Sequence, residues 1–181
     1  MQIRTTPEAG TYRIDPTHTT VGFTVRHLMV AKVRGTFRKV DFTVEVQEPI
    51  EDSRVVATID AASIDTGVED RDDHLRSPDF LDVANHPNLE FRSTRIRRLD
   101  DTHLEVEGEL TIRDVTRPVT LQVEVHGVTR DPWGNERIGF TATTTLDRED
   151  WGLTWNQPLE TGGWLVGKEV QVEIEGEAVR A

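Results

Sequence analysis

The sequence predicts an all-β protein: an antiparallel up-and-down barrel of eight strands with a short helical insertion around residues 68–83. Three observations carry this expectation. Apolar residues recur with a period of two along most of the chain, the mark of strands with one dry and one wet face. Roughly eight such segments follow one another, several longer than the usual five or six residues. The connections between them hold Gly, Asp, Asn or Pro, as tight turns require. A sandwich of two sheets satisfies the same alternation. Closure into a barrel has one physical advantage, since it removes the edges that long apolar strands would otherwise expose.

In chain order, Val21, Phe23 and Val25 alternate with polar neighbours, and Phe42, Val44 and Val46 do the same. Segments 54–62 and 88–98 are less regular strands. Between them, Glu69 to Arg76 forms a short helix stopped by Ser77-Pro78, and Ser77 with Pro78 then starts a second short turn through Asp82. Leu75, Phe80, Leu81 and Val83 give this insertion an apolar side with which to cap a barrel end. Leu104, Val106, Gly108, Leu110 and Ile112 alternate with Glu105, Glu107, Glu109 and Thr111. Val119, Leu121, Val123 and Val125 follow, then Ile138, Phe140, Ala142, Thr144 and Leu146. Residues 147–168 break the pattern and hold Trp151, Trp155, Trp164 and several glycines; Val170, Val172 and Ile174 form the last strand. With no repeat, linker or low-complexity stretch, residues 1–181 read as one domain.

Composition narrows the function. The chain has 181 residues, 35% hydrophobic and 30% charged, with a net charge of -12. That is a globular composition with no apolar run approaching the ~20 residues of a membrane-spanning helix. A negative field of this size disfavours nucleic acid and anionic membranes as general partners, and the basic N-terminal segment is the one place suited to a phosphate. The charge is uneven: residues 1–40 hold seven Lys or Arg against Glu8 and Asp15, a local +5, which leaves -17 for the remainder. The opening MQIRTTPEAG has no apolar h-region, so the expected location is the cytoplasm, or the periplasm or exterior if the chain is a mature form.

The chemistry of catalysis is hard to find. There is no cysteine, no G-x-S-x-G, no phosphate-binding glycine loop and no H-E-x-x-H. The six histidines are scattered, with no pair at i, i+2 or i, i+4 to hold a metal, and no cofactor signature exists. His74 lies beside Asp70, Asp72 and Asp73, a cluster better read as a helix start whose carboxylates complement the dipole. Glu105, Glu107 and Glu109 form a surface stripe, and His103 and His126 face solvent. The expectation is a protein that is not an enzyme. An enzyme that uses the barrel as a vessel, with His27 or His18 as base, is the alternative, as is an interaction protein with a filled core.

If the dry faces converge, the interior is lined by Phe23, Val25, Phe42, Phe91, Leu110, Leu121 and Phe140, with Trp155 and Trp164 joining from the irregular stretch. Gly108, Ala142 and Thr144 are small enough to leave space among them. Such a pore suits a long apolar ligand, because each buried CH2 contributes about 0.8 kcal/mol. Arg26, His27, Lys32 and Arg34, at the end of a strand and in the turn after it, are the candidates to meet an anionic head group.

Four blocks in register resemble the YceI-like family of lipid-binding proteins: Tyr12-Arg-Ile-Asp-Pro-Thr-His18 running on through Val21 to Phe37; Arg71-Asp-Asp-His-Leu-Arg-Ser-Pro-Asp-Phe-Leu-Asp-Val83 with Pro87 and Phe91; Leu110-Thr-Ile-Arg-Asp-Val-Thr-Arg-Pro-Val119; and Leu146-Asp-Arg-Glu-Asp-Trp-Gly-Leu-Thr-Trp155 with Val166-Gly-Lys-Glu-Val170. They span Tyr12 to about Ala178. The resemblance implies a lipocalin-like barrel whose pore holds a polyisoprenoid or similar long-chain lipid, without catalytic residues, and a homodimer. Trp151 stands where the family usually has Phe. Arg26, His27 and Arg34 are the head-group candidates on the strength of the local positive charge.

Overall fold

The computed structural model describes residues 4–181 and contains eleven strand segments in eight lanes. The first lane is β1 (Gly10–Ile14) and β2 (Thr20–His27), broken by a 3-10 turn at Pro16–His18. The second is β3 (Ala31–Phe37) and β4 (Val40–Val46); the third is β5 (Arg54–Asp60) and β6 (Ile64–Asp65). Single strands make the other five: β7 (Asn88–Arg98), β8 (His103–Ile112), β9 (Val115–Arg130), β10 (Glu136–Asp147) and β11 (Val166–Arg180). Each lane pairs antiparallel with the next in chain order. The last lane returns to the first, with Ile174 opposite Val21 and Tyr12 opposite Arg180. The sheet is therefore a closed eight-lane up-and-down barrel, and the sandwich is excluded.

The eight expected strands all exist, and three segments are additional: β1, β3 and the two-residue β6. β1 pairs with β4 and β11 although it precedes any clear alternation. β3 occupies what the sequence suggested was a turn after Arg26 and His27. Its inward side is Val33, Gly35 and Phe37, and the glycine hides the period: a Cβ there would collide with the Phe23 ring on the neighbouring strand. The aromatic side chain covers the position that Gly35 leaves vacant. The bulk missing from one strand comes from the strand beside it.

The insertion forms the helix α1 (Glu69–Arg76) with the expected bounds, followed by turns to residue 86. Buried Asp72 ties it down by accepting from the backbone N–H and the hydroxyl of Thr66, at 2.9 and 2.5 Å. Arg76 adds donors to the carbonyls of Ala62 and Ile64, both at 2.9 Å. Among the described residues, no helix is long and apolar enough to cross a membrane.

Apolar side chains line the barrel in three zones. The middle is built on Val21, Phe42, Phe91, Val106 and Ile174. At the end that carries α1 and the β2–β3 hairpin, Ile64, Leu81, Leu89, Ile112, Trp151 and Leu153 pack together. At the opposite end, Tyr12, Val46, Val125, Val128 and Ile138 pack beneath an N-terminal arm, which bridges to β9 through the Arg4 carbonyl and the Val128 N–H at 2.7 Å.

Candidate functional site

The barrel interior is not filled. A cavity of about 610 Å³ runs along it, walled mostly by aliphatic and aromatic side chains. That volume falls within the range of about 300–1,000 Å³ typical of small-molecule sites. The wall follows β8 from Leu104 to Ile112. That stretch is about 26 Å of strand, or about 20 Å of axis at a tilt near 40°. The space is a channel rather than a chamber.

Most of the expected lining is present. Phe23, Val25, Phe42, Phe91, Leu110, Leu121, Phe140 and Trp155 all lie on the wall, as do Ala142 and Thr144. Gly108 is a correction: it leaves no free space, because the Phe91 ring lies over it and the Arg92 carbonyl is close behind. Trp164 is a second correction. It is half-exposed at the rim and does not line the channel, because its loop turns it outward after the bridge between Pro158 and Trp164.

The polar candidates divide. Arg26 and His27 both border the channel mouth at the hairpin end, but Arg26 is exposed and stands opposite Lys32, on the outward phase of β2. Arg34 does not: it stands opposite Thr24 in the β2–β3 register, on the outward phase of the strand. There it borders a shallow surface trough with Lys32, Thr120, Gln122 and Thr143. The turn assumed for Lys32 and Arg34 is strand, and strand alternation sends both outward.

Four ionisable wall residues at the hairpin end, Asp70, Arg71, His74 and Arg148, were not among the candidates. α1 presents Arg71 and His74. Arg71 is braced by Thr66, with Nε donating to its hydroxyl at 2.7 Å and a terminal nitrogen donating to its carbonyl at 2.9 Å. His74 Nε2 lies 2.8 Å from Asp79 Oδ2, so the acidic partner it finds is beyond the helix, not the cluster beside it in sequence. Its ring meets Trp155 edge-on at 4.6 Å and Phe80 at 5.1 Å, and the three rings cluster on the wall at this end of the channel.

Arg148 opens the 3-10 turn Arg148–Trp151 and is 5% exposed. Its guanidinium donates to four backbone carbonyls: Leu153 at 2.5 Å, Gly167 at 2.8 Å, Trp155 at 3.0 Å and Val166 at 3.3 Å. It thereby staples both ends of the irregular stretch to β11. No carboxylate pairs with it, and burial draws its pKa below the ordinary arginine value against the opposing pull of Glu149 and Asp147. A guanidinium stays charged under such pressure. The result is a buried positive charge on an otherwise apolar wall. The only sequence signal for it was its place in the resemblance, since periodicity says nothing about a charged residue in a capping turn.

The other charged clusters are structural. Asp15, His18 and Glu177 come within 4.8 Å of one another, close enough to hold a cation. Arg137 already occupies that position, 2.8 Å from Asp15 and 3.1 Å from Glu177, with Asp131 at 2.9 Å on its other side. His18 thus sits on this outer cluster and does not face the channel. His103 and His126 are exposed, as expected.

Comparison with known proteins gives a consistent result. A family model described as the YceI-like domain matches residues 12–178. A UPF0312 protein of Staphylococcus epidermidis is 38% identical over 170 residues, 92% of this chain and 95% of that one. A UPF0312 protein of Staphylococcus aureus is 36% identical over 168 residues, with the same shares covered. Among solved structures, a YCEI protein of Campylobacter jejuni superposes with a TM-score of 0.74 at 26% identity, covering 86% of this chain and 90% of that one. BcnA of Burkholderia cenocepacia gives 0.75 at 21% identity, over 93% and 99%. A polyisoprenoid-binding domain of Saccharophagus degradans gives 0.70 at 12% identity, over 96% and 100%, a likeness of fold alone.

Proposed function

Since this chain belongs to the YceI-like domain family, we propose that it is a non-catalytic binding protein that carries a polyisoprenoid or similar long-chain amphiphile in its barrel. The apolar channel is the observation that carries the reading: a slender ligand threaded along it exchanges water for hydrocarbon over its whole length. Polarity is confined largely to the ends. The ligand's polar group lies at the hairpin end, where His27, Arg71 and Arg148 supply donors on the wall and exposed Arg26 stands at the rim. Arg34 acts at the surface and not on the bound head group. The description of a structural neighbour as a polyisoprenoid-binding domain supports this class of ligand. The protein works as a cytoplasmic homodimer under the same reading, a state that light scattering of the purified chain tests directly.

Native mass spectrometry of the purified protein, followed by organic extraction, tests the carrier function. One lipid of isoprenoid mass per chain is the expected result. A clean apo mass that stays unchanged after incubation with prenyl lipids would overturn the reading. Phe140→Trp provides a second check. Phe140 is on the wall but covers no glycine, so added bulk projects into the channel. Overpacking of this kind costs about 1–3 kcal/mol, so occupancy should fall about tenfold while the fold is retained.

A further inference from the structure

We propose that the rim of the channel, formed by the β2–β3 hairpin and the loop at 159–165, is a docking surface for a bilayer containing anionic lipids. The apolar part of this surface is Leu28, Met29 and Val30, at 42%, 57% and 80% exposure, with Trp164 at 50%. The other large exposed hydrophobics among the described residues are Val56, Val68, Leu99 and Trp133, which belong to separate elements. The hairpin and the loop touch. The Leu28 N–H donates to the Leu165 carbonyl at 2.9 Å, and Met29 lies against Gly163. Four apolar side chains are therefore grouped beside the channel mouth, which Arg26, His27, Trp155 and Leu165 border.

The hairpin turn is built against local preference. Leu28 and Met29 both take positive φ, 53° and 66°, the conformation that hairpins normally give to Asn-Gly. Bulky apolar residues held exposed in that conformation point to a use for the side chains rather than for the turn. An interfacial Trp together with Leu and Met is the composition that enters the boundary between head groups and acyl chains.

Charge identifies the occupant. Residues 16–40 contain Arg26, Lys32, Arg34, Arg38 and Lys39 and no Asp or Glu, in a chain of net charge -12. Arg26 and Lys32 stand directly opposite each other across β2 and β3. Like charges in that register repel, so the pair costs stability unless an external anion meets it. Among the described residues, no carboxylate lies within 4.0 Å of Arg26, Lys32 or Arg34. The loop contributes one acid, Glu160. An apolar tip flanked by unpaired cations matches lipid phosphates above hydrocarbon. Docking there would bring the channel mouth to the source of a lipid ligand. This purpose rests on the proposed cargo, whereas the docking chemistry does not.

Flotation of the full chain with phosphatidylcholine vesicles, with and without about 30% phosphatidylglycerol, tests the proposal. The protein should float with anionic vesicles and at least about tenfold less with neutral ones, and added salt should release it. Leu28→Asn with Met29→Gly installs the preferred turn residues and removes the apolar tip, so the protein should fold as well as before and lose flotation. Arg26→Gln with Lys32→Gln relieves a repulsion, so it should also remain folded, and should bind about tenfold less. The proposal is overturned if wild-type protein ignores anionic vesicles or if both variants float like it. It is equally overturned if the chain is a dimer that Leu28→Asn with Met29→Gly converts to monomer, because the rim is then a contact between copies. Lipid occupancy read on the same samples separates the two ideas: an empty channel with intact flotation sinks the carrier function alone.

Discussion

The barrel buries Glu136 at one end and Arg148 at the other, and the two ends treat these charges in opposite ways. At the arm end, Glu136 is 2% exposed. The Tyr12 hydroxyl lies 2.6 Å from its Oε2, the Glu8 N–H donates to the same oxygen at 3.3 Å, and the Arg4 guanidinium pairs with its other oxygen. Burial raises the pKa of the Tyr12 phenol above its ordinary value, which keeps it a neutral donor. At the hairpin end, Arg148 forms no ion pair among the described residues: its hydrogen bonds go to four backbone carbonyls, and Glu149 and Asp147 act on it only from a distance. The comparison teaches that a buried charge neutralised within the fold closes a barrel, whereas one left unpaired gives the cavity a sign. The arm end is fastened, and the hairpin end is prepared for an anion.

The largest expected effect tests the unpaired side. Arg148→Met keeps an unbranched side chain but strands four backbone carbonyls, so stability should drop by about 3 kcal/mol, measured by urea unfolding. Affinity for an acidic long-chain ligand should fall more than affinity for its neutral alcohol. Equal losses for the two ligands would mean that the guanidinium only staples the loop and lends the channel no sign.

Glu136→Gln should cost about 2 kcal/mol, because Arg4 and Tyr12 lose a charged acceptor while the volume is unchanged. No change in ligand affinity is expected. A change as large as that from Arg148→Met would erase the distinction between the two ends.

The smallest effect concerns the cluster near the arm end. Hydrogen bonds from the Thr17 hydroxyl first, then from Arg137 and His18, hold the Asp15 carboxyl well below the usual carboxylate range. A carboxylate whose pKa is depressed on folding stabilises the protein above its unfolded value of about 3.9, and that contribution is lost as pH falls through the folded value. Asp15→Asn should therefore cost about 0.5–1 kcal/mol at pH 7, allowing for the exposure of its partners. The gap between the two proteins should close progressively below about pH 4 in thermal melts. A constant gap across that range would show that the loss is one of packing rather than of charge.

Particular residues show why some features were legible in the sequence and others were not. Strands such as Leu104 to Ile112 repeat a two-residue period over nine positions, and α1 is bounded by Ser77-Pro78, so both could be placed from local signals alone. β3 was not, because Gly35 interrupts its inward side and the ring that fills the gap belongs to β2, a partner known only once the register is known. The same reason explains Gly108: its small size looked like free space until the Phe91 ring was seen to cover it. For the site, alternation located the aromatic wall, whereas Trp164 and Arg34 depended on the course of a loop and the phase of an unrecognised strand. Arg148 depended on four carbonyls from two separate stretches of the chain, 153–155 and 166–167.

By itself, the sequence determined the all-β class, the number of lanes, the helical insertion and the apolar lining, because each follows from the spacing of neighbouring residues. Only the tertiary structure decided that the sheet closes, that space remains along its axis, and that one end carries an unpaired charge. Those properties arise from contacts between residues distant in the chain: β11 returning to β1 and β2, rings covering glycines on adjacent strands, and a guanidinium gathering carbonyls from across a loop. Periodicity sorts side chains into inward and outward, but whether the inward ones meet or leave a channel depends on how far apart closure holds the walls.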